Sequence, residues 1–338
     1  MTKFKNADEL FRSFEGKPVL VIGDVMIDSY IWGHAERISP EAPVPVVSVL
    51  KREDRLGGAA NVAMNIKAMG AVPILCTAIG PDNRGTEFLD LLIESELPTK
   101  GIVTCENRIT TVKFRVISNG HHMIRVDEED DSEISEDESA SLYLTIKSII
   151  SKDPVGAIIF EDYDKGVIST KLIEKVVSLA NKNGIPTIVD PKRRNFHSYK
   201  NVTLFKPNLK ELRDGLYAEV HNKDTEKIIA LTEKLHKKLN HDNSMVTLSE
   251  LGMLLYAHKE PNAEPIHIPA HIRNISDVSG AGDTVTAVAA LCLASGTDLK
   301  TMATLANLAG GLVCEEVGVM PIVKERFLVE ARKTNLFA

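Results

Sequence analysis

Asp277-Val-Ser-Gly-Ala-Gly-Asp-Thr284 decides the reading of this chain. It runs directly into a small, apolar, helix-like stretch from Val285 to Ala294. Gly280 and Gly282 let the backbone turn tightly and approach a ligand closely. With Ala281 they precede a helix start, whose free N–H groups and positive dipole end favour anions. Such a turn suits the charge that builds on a transferring phosphoryl group. Asp283, placed there, can hydrogen-bond a hydroxyl and accept its proton. The same residue would also serve as a plain helix cap.

The rest of the chain is compatible with a soluble catalyst. Its 338 residues are 43% hydrophobic, enough for a packed core. A net charge of −7 argues against nucleic-acid binding, which needs a basic stripe. The N-terminal stretch is polar and mixed in charge, unlike a signal peptide. The longest apolar stretch, Val285 to Ala294, is about half of a membrane span. Cys76, Cys105, Cys292 and Cys314 form no C-x-x-C pair and read as reduced thiols. A cytoplasmic protein with no membrane or nucleic-acid partner is expected.

Strand-like runs alternate with helical patterns over most of the length. Strands are expected at Val19–Ile22, Val155–Phe160, Ile185–Val189, Val202–Phe205 and Met245–Leu248. Helices are expected near Glu136–Ser151, Thr170–Asn183, Thr225–Asn240, Asp283–Ala294 and Leu299–Glu316. This alternation predicts an α/β fold with a central, mostly parallel sheet flanked by helices. Polar residues follow the strands: Asp24, Glu161-Asp162, Asp190 and Lys206-Pro-Asn208. Ligands in such sheets bind beyond the carboxyl ends of the strands, so these residues point to one site. Pro43–Leu50 and Thr111–Val126 break the alternation and read as extended. A small antiparallel β lid, from segments near 30–50 and 109–128, accounts for both. The acidic run from Asp127 to Glu138 reads as a solvated loop and helix start.

Three further segments carry candidate site residues. Gly57-Gly58-Ala-Ala-Asn61 opens a helix with Val62, Ile66 and Met69 on one face. Its glycines permit close backbone approach, and Asn61 offers the donor and acceptor that a hydroxyl requires. A simple turn into a helix would look the same. Gly23-Asp24-Val-Met-Ile-Asp28 places two carboxylates at a strand end, where they can grip vicinal hydroxyls or cap a turn. In Lys206-Pro-Asn208-Leu209-Lys210-Glu211, Asn208 and Glu211 can share a helix face and hold Mg²⁺ through water. Asn-x-x-Glu is equally a capping-box signature. Asp162-Tyr-Asp164-Lys165 reads either as site-lining or as a polar turn. There is no P-loop and no G-x-G-x-x-G fingerprint.

Together these residues resemble the ribokinase (PfkB) family of carbohydrate kinases. Asp277–Asp283 matches its late D-x-x-G-A-G-D element, and Gly57–Asn61 its early G-G-x-x-N element. The resemblance covers essentially the whole chain and implies a ribokinase-like fold. Gly23–Asp28, Arg37–Val46, Gly57–Asn65, Asp190-Pro-Lys192, Pro207-Asn208 and Val246-Thr247 are similar to the kinase half of bacterial heptose-7-phosphate kinase/adenylyltransferases. That resemblance implies transfer of the ATP γ-phosphate to the anomeric hydroxyl of D-glycero-D-manno-heptose 7-phosphate. The 1,7-bisphosphate would then feed ADP-heptose and lipopolysaccharide core synthesis.

By position, the resemblance makes Asp283 the base and Gly280, Ala281 and Gly282 the anion hole. Asp24, Asp28, Gly57, Gly58 and Asn61 would hold the sugar. Asn208, Leu209, Lys210 and Glu211 would serve ATP and Mg²⁺, with Thr247, Gly252 and Asn307 near the nucleotide. A monovalent cation such as K⁺ is implied beside the turn. Leu248 stands where an Arg is expected, and Arg193-Arg194 where a Gly is more usual. No G-x-x-H-x-G-H motif occurs before Ala338, so a single kinase domain without a nucleotidyltransferase half is expected.

Lys113 and Arg115 alternate onto one strand face, with Arg125 on the neighbouring segment. Three cations there can clamp a substrate phosphate, with Arg supplying bidentate geometry. Paired surface charge is the competing reading. The lid's apolar face suggests a homodimer. The alternatives to a heptose kinase are a ribokinase- or fructokinase-type enzyme, which would prefer unphosphorylated sugars, and a non-catalytic sugar or nucleotide sensor, which would release no ADP.

Overall fold

The computed structural model describes residues 3–271 and 275–337. Its strands are β1 (Pro18–Gly23), β2 (Val25–Ile38), β3 (Pro45–Gly58), β4 (Val72–Ile79), β5 (Ile102–Thr104), β6 (Val112–Ser118) and β7 (His121–Glu128). Then follow β8 (Ala157–Glu161), β9 (Thr187–Asp190), β10 (Leu204–Phe205), β11 (Asn243–Thr247), β12 (Met253–Ala257) and β13 (Ile266–Ile268). Nine of them form one sheet in the order β13-β12-β11-β10-β9-β8-β1-β4-β5. Its pairings are parallel except β11–β12 and β12–β13. The expected strands all lie in this sheet, each shifted by a residue or two. β4, β5, β12 and β13 were not anticipated.

Alternation along the strands explains the two-sided burial. Val19, Val21, Ala157, Ile159, Ile188 and Leu204 enter one core. Leu20, Ile22, Ile158, Phe160, Val189 and Phe205 enter the other. Strands buried on both faces read as continuous apolar runs, which is why they were legible. The helix Ala281–Ala294 belongs to the first core. It is buried from Asp283 to Cys292, wedged against the sheet and the helices Ala59–Ala68 and Leu299–Val313. A helix apolar on every side must be enclosed in this way. The acidic run ends, as expected, at a helix start: Ser135 and Glu138 form a capping box for Glu136–Lys152.

The two extended stretches belong to a second sheet, ordered β3-β2-β6-β7. It is larger than expected and starts earlier. β2 follows β1 after the single residue Asp24, so Asp28 lies at its root. Nor is it wholly antiparallel: β2 pairs with β6 in parallel register. The chain passes through β3, a helix, β4, a second helix and β5 before β6, and so long a connection permits a parallel return. Among the described residues, no helix is long and apolar enough to cross a membrane.

Candidate active site

The turn before helix Ala281–Ala294 is held by Asp277. Its Oδ1 accepts from the Ser279 N–H at 3.0 Å and the Ser279 hydroxyl at 2.8 Å. Its Oδ2 accepts from the Gly318 N–H at 2.9 Å. Gly280 sits at φ +77°, and a Cβ there would lie 2.9 Å from Asn61 Nδ2. Both the left-handed backbone and the crowding demand glycine.

Asp283 occupies the first helical turn, yet it does not cap it. Its Oδ2 accepts from Asn61 Nδ2 at 2.6 Å, and its Oδ1 from the Tyr163 hydroxyl at 2.7 Å. The residue is 4% exposed. Burial raises its pKa, while the Asn61 and Tyr163 donors pull it back. A carboxylate held by two lateral donors at a helix N-terminus is oriented to receive a proton.

The glycine pair has a reason different from the one expected. A Cβ on Gly57 would lie 2.3 Å from Asp28 Oδ2, and one on Gly58 2.5 Å from the Asp24 carbonyl. The pair therefore admits the root of β2, and so delivers Asn61 to Asp283. Asn65 extends the arrangement. Its Oδ1 accepts from Thr284 Oγ1 and the Ile322 N–H, both at 3.0 Å.

The two carboxylates of Gly23–Asp28 separate in role. Asp28 is buried and paired with Arg115 at 2.5 Å. Burial raises its pKa against the lowering effect of Arg115. Asp24 corrects the expectation of a sugar ligand. It is fully buried, Oδ2 accepts from the N–H groups of Tyr163 (2.8 Å) and Lys165 (3.1 Å), and Oδ1 from that of Val167 (3.0 Å). Its carboxylate organises the loop after β8 and faces no cleft. Even spacing would put Asp24 and Asp28 on one strand face, but Asp24 is the junction between two sheets.

Strand parity places a charged layer beneath the turn. Glu161, Asp190 and Lys206 continue the alternation of β8, β9 and β10 on the side facing helix Ala281–Ala294. Lys206 Nζ lies 2.8 Å from Asp190 Oδ2, and both residues are buried. A Cβ on Gly282 would lie 3.6 Å from Asp190 Oδ2 and 3.9 Å from Lys206 Nζ, so this pair lies directly beneath the glycine turn. Burial pushes Asp190 up, but Lys206 and Lys192 outweigh it and hold its pKa low. Glu161 is fully buried, and neither carboxyl oxygen accepts a hydrogen bond from a donor group among the described residues, which leaves Asp190 beside it as the partner for its acid form. Burial, then the charges of Asp190 and Asp283, raise its pKa well above the usual carboxylate range.

Asn208 and Glu211 form the capping box that competed with the metal reading. Asn208 Oδ1 accepts from the Glu211 N–H, and Glu211 Oε2 from the Asn208 N–H, both at 2.8 Å. Glu211 Oε1 meets Lys192 Nζ at 2.5 Å. No group of three or more His, Cys, Asp or Glu residues among the described residues could hold a metal directly. Asp190 and Glu211 remain as hard oxygen donors for an ion that keeps most of its water.

Thr247, Gly252 and Asn307 converge as expected. They line a cavity of about 550 Å³ that runs to Ala281 and Gly282. A second cavity, of about 460 Å³, is lined by Asn208, Leu209 and Lys210 and shares Ser249 with the first. Lys113, Arg115 and Arg125 do share one face of the small sheet, where Arg115 and Arg125 are register partners. Each is neutralised: Lys113 by Asp127 and Glu129, Arg115 by Asp28, Arg125 by Asp127. A bound phosphate would have to compete with these carboxylates.

Sequence reading placed Glu161 and Lys206 at the shared site and left the Tyr163 turn as either site-lining or a polar turn, but assigned no specific role to these residues or to Lys192. Strand-end position was the available signal for Glu161 and Lys206. For Tyr163 there was only membership of a polar turn.

The residues 17–326 match the model of the pfkB family carbohydrate kinases. Bifunctional protein HldE of Caulobacter vibrioides is 41% identical over 308 residues, covering 91% of this chain and 62% of that protein. Bifunctional protein HldE of Geobacter sulfurreducens is 37% identical over 320 residues, covering 94% and 64%. The chain thus spans just under two thirds of these relatives. Phosphofructokinase-2 from Escherichia coli, in complex with potassium, superposes with a TM-score of 0.75 at 19% identity, over 94% of this chain and 99% of that one. Arabidopsis thaliana ribokinase complexed with ribose and ATP gives 0.71 at 18%, over 95% and 100%. The protein belongs to the pfkB family of carbohydrate kinases, and its fold is ribokinase-like.

Proposed function

We propose that this chain transfers the γ-phosphoryl group of ATP to the anomeric hydroxyl of D-glycero-D-manno-heptose 7-phosphate. The observation that carries the phosphoryl transfer is Asp283, buried and doubly oriented at a helix N-terminus where a nucleotide-sized cavity ends. The heptose phosphate rests on the similarity of Gly23–Asp28, Arg37–Val46 and Gly57–Asn65 to heptose-7-phosphate kinases, and on the HldE relatives. The product would supply ADP-heptose synthesis.

Asp283 accepts the hydroxyl proton as the sugar oxygen bonds to the γ-phosphorus. The bond from that phosphorus to the β-bridging oxygen breaks, and ADP leaves with the electron pair. The N–H groups of Gly280 to Gly282 face the charge spread over the transferred group, and Lys206 lies behind them. Thr247, Gly252 and Asn307 hold the nucleoside end; Asn208, Leu209, Lys210 and Glu211 lie along its phosphates. Mg²⁺, held through water by Glu211 and Asp190, would neutralise phosphate charge. K⁺ beside the turn is assayed by omission. The small sheet closes over the sugar as a lid and excludes water.

The test is coupled ADP release with Mg-ATP and the heptose 7-phosphate, beside ribose, fructose and fructose 6-phosphate. Turnover of the heptose phosphate alone supports the assignment. Turnover of another sugar keeps the kinase and discards the heptose.

Arg115 is proposed to move from Asp28 to the substrate phosphate. Arg115→Ala is expected to raise the KM for the phosphorylated sugar about 100-fold, as loss of a charge-assisted bidentate bond implies. An unchanged KM removes the clamp. The exposed Val49, Leu50, Ile124 and Val126 of the small sheet support a homodimer. Light scattering of the purified chain should give twice the monomer mass; a monomer mass refutes it.

A further inference from the structure

We propose that Tyr163 is a positioning residue for Asp283, which its phenol holds in place and joins to the nucleotide end of the site. This rests on the kinase reading above, in which Asp283 is the base.

The argument starts with the loop that carries Tyr163. Three backbone N–H groups, of Tyr163, Lys165 and Val167, converge on the buried Asp24 carboxylate. Asp162 fixes the same loop from the other side. Its Oδ1 accepts from the Asp164 N–H at 2.9 Å, and its Oδ2 from the Tyr199 hydroxyl at 2.6 Å and Asn195 Nδ2 at 3.1 Å. Asp164 adopts φ +55°, and Gly166 φ +84° with the Ser132 carbonyl where a Cβ would go. Arg108 ties the Lys165 carbonyl. Two buried carboxylates and a buried arginine thus immobilise a five-residue turn that delivers the Tyr163 phenol to Asp283, while Asp164 and Lys165 turn away to Arg194 and Glu129. So much fixed polar structure under one side chain points to a demand for placement.

The phenol donates to Asp283 Oδ1 at 2.7 Å, opposite Asn61 on Oδ2. Each carboxylate oxygen has two lone pairs, so one on each remains for a substrate hydroxyl. The two donors therefore fix the plane of the carboxylate without consuming it. Lys192 Nζ lies 5.2 Å from the centroid of the Tyr163 ring and pairs with Glu211. The ring thus spans the gap between the base and the residues set along the phosphates.

The groups facing Asp283 are Asn61 from its helix, Glu161 and Asp190 from the sheet, Lys206 beyond β10, and Tyr163. Glu161 and Asp190 also face the phenol, and Lys192 covers its ring. The phenol itself stays protonated, since burial and then the Asp283 charge raise its pKa well above the usual value. It is a permanent donor. A donor to the ionised form lowers a carboxyl pKa, so removing it must raise that of Asp283.

The test uses Tyr163→Phe in the full chain, which keeps the ring beneath Lys192. Isotope-edited infrared spectra of ¹³C-Asp protein, with Asp283→Asn subtracted, read the Asp283 titration without any sugar or nucleotide. The protonated carboxyl band is expected to persist to higher pH in Tyr163→Phe than in wild type. With the accepted sugar, kcat should fall roughly tenfold, the size of one hydrogen bond to a charged group. The acidic limb of kcat/KM should move to higher pH, and the KM for ATP should stay within about twofold. A purely structural role would lower the amplitude without moving the limb. An unmoved infrared titration, or an unmoved limb, overturns the proposal. Wild type inactive on every sugar would refute the kinase reading, while the infrared comparison still decides the Tyr163 contact.

Discussion

Asp283→Asn is expected to lower kcat about 10³-fold while the KM for ATP changes by less than about threefold. A positioned general base contributes roughly 10² to 10⁴ in rate. The substitution keeps the fold of the turn, although its amide NH2 would meet the Asn61 NH2, so the Asn61 amide must turn over to offer its oxygen. The Tyr163 hydroxyl can still donate to the amide oxygen, and the turn is held independently by Asp277. Asn cannot accept the proton, so the loss falls on the chemical step. Steady-state ADP release and a direct ATP-binding titration separate the two effects. Near-normal kcat in the variant would remove Asp283 as the base. A collapse of ATP binding would show that the residue supports the cavity instead.

Lys206→Met is expected to lower the unfolding free energy by about 3–5 kcal/mol, the usual consequence of stranding one partner of a buried ion pair. Lys206 and Asp190 have side chains only 3% and 7% exposed, and the buried Glu161 lies beside them. Without Lys206, Asp190 would face burial and two neighbouring carboxyls with only Lys192 to oppose them. The sign with pH follows. In the wild type the Asp190 pKa is held below its ordinary value, so the pair contributes fully above that value and is lost as pH falls through the lowered one. In the variant burial should raise that pKa, so stability should decline as pH rises. The deficit between the two proteins therefore widens from acid toward neutral pH. Urea unfolding at several pH values measures it. Adding Asp190→Asn should restore part of the loss, and no restoration would mean the pair is not the cause.

The parts of this site that rest on backbone geometry were legible in the sequence. Gly280 and Gly282 before an apolar helix announced the tight turn at a helix start, and period-2 runs buried on both faces announced the sheet. The parts that rest on pairing across segments were not. Asp190 and Lys206 each marked a strand end, but their contact depends on the register of β9 against β10. Asp24 looked like a ligand because its residue type and position fit one. Only the fold shows that three N–H groups from a loop some 140 residues away engage it in the interior. Tyr163 lay in a polar turn, and nothing local distinguishes a turn that aims a side chain from one that merely reverses the chain. Asn208 and Glu211 carried two valid readings, and the capping box is realised.

In the lid closure proposed above, the single residue between β1 and β2 would make the small sheet a lever with its fulcrum at Asp24 and Gly58. β2 spans 14 residues, so its outer end stands roughly 45 Å from that pivot at the usual rise per residue. Asp28 is only about 13 Å along the arm. A 10° swing about the root would carry the tip through about 8 Å and Asp28 through about 2 Å. In that closure the outer end would sweep solvent aside over a wide arc while Asp28, proposed to lie beside the sugar, would barely change place. Irregular pairing between β2 and β3 begins only at Trp32/Gly33. Any bending of the arm is thus favoured in its far half, since the near half is regularly paired and tied to Val319 through Tyr30 and Arg55.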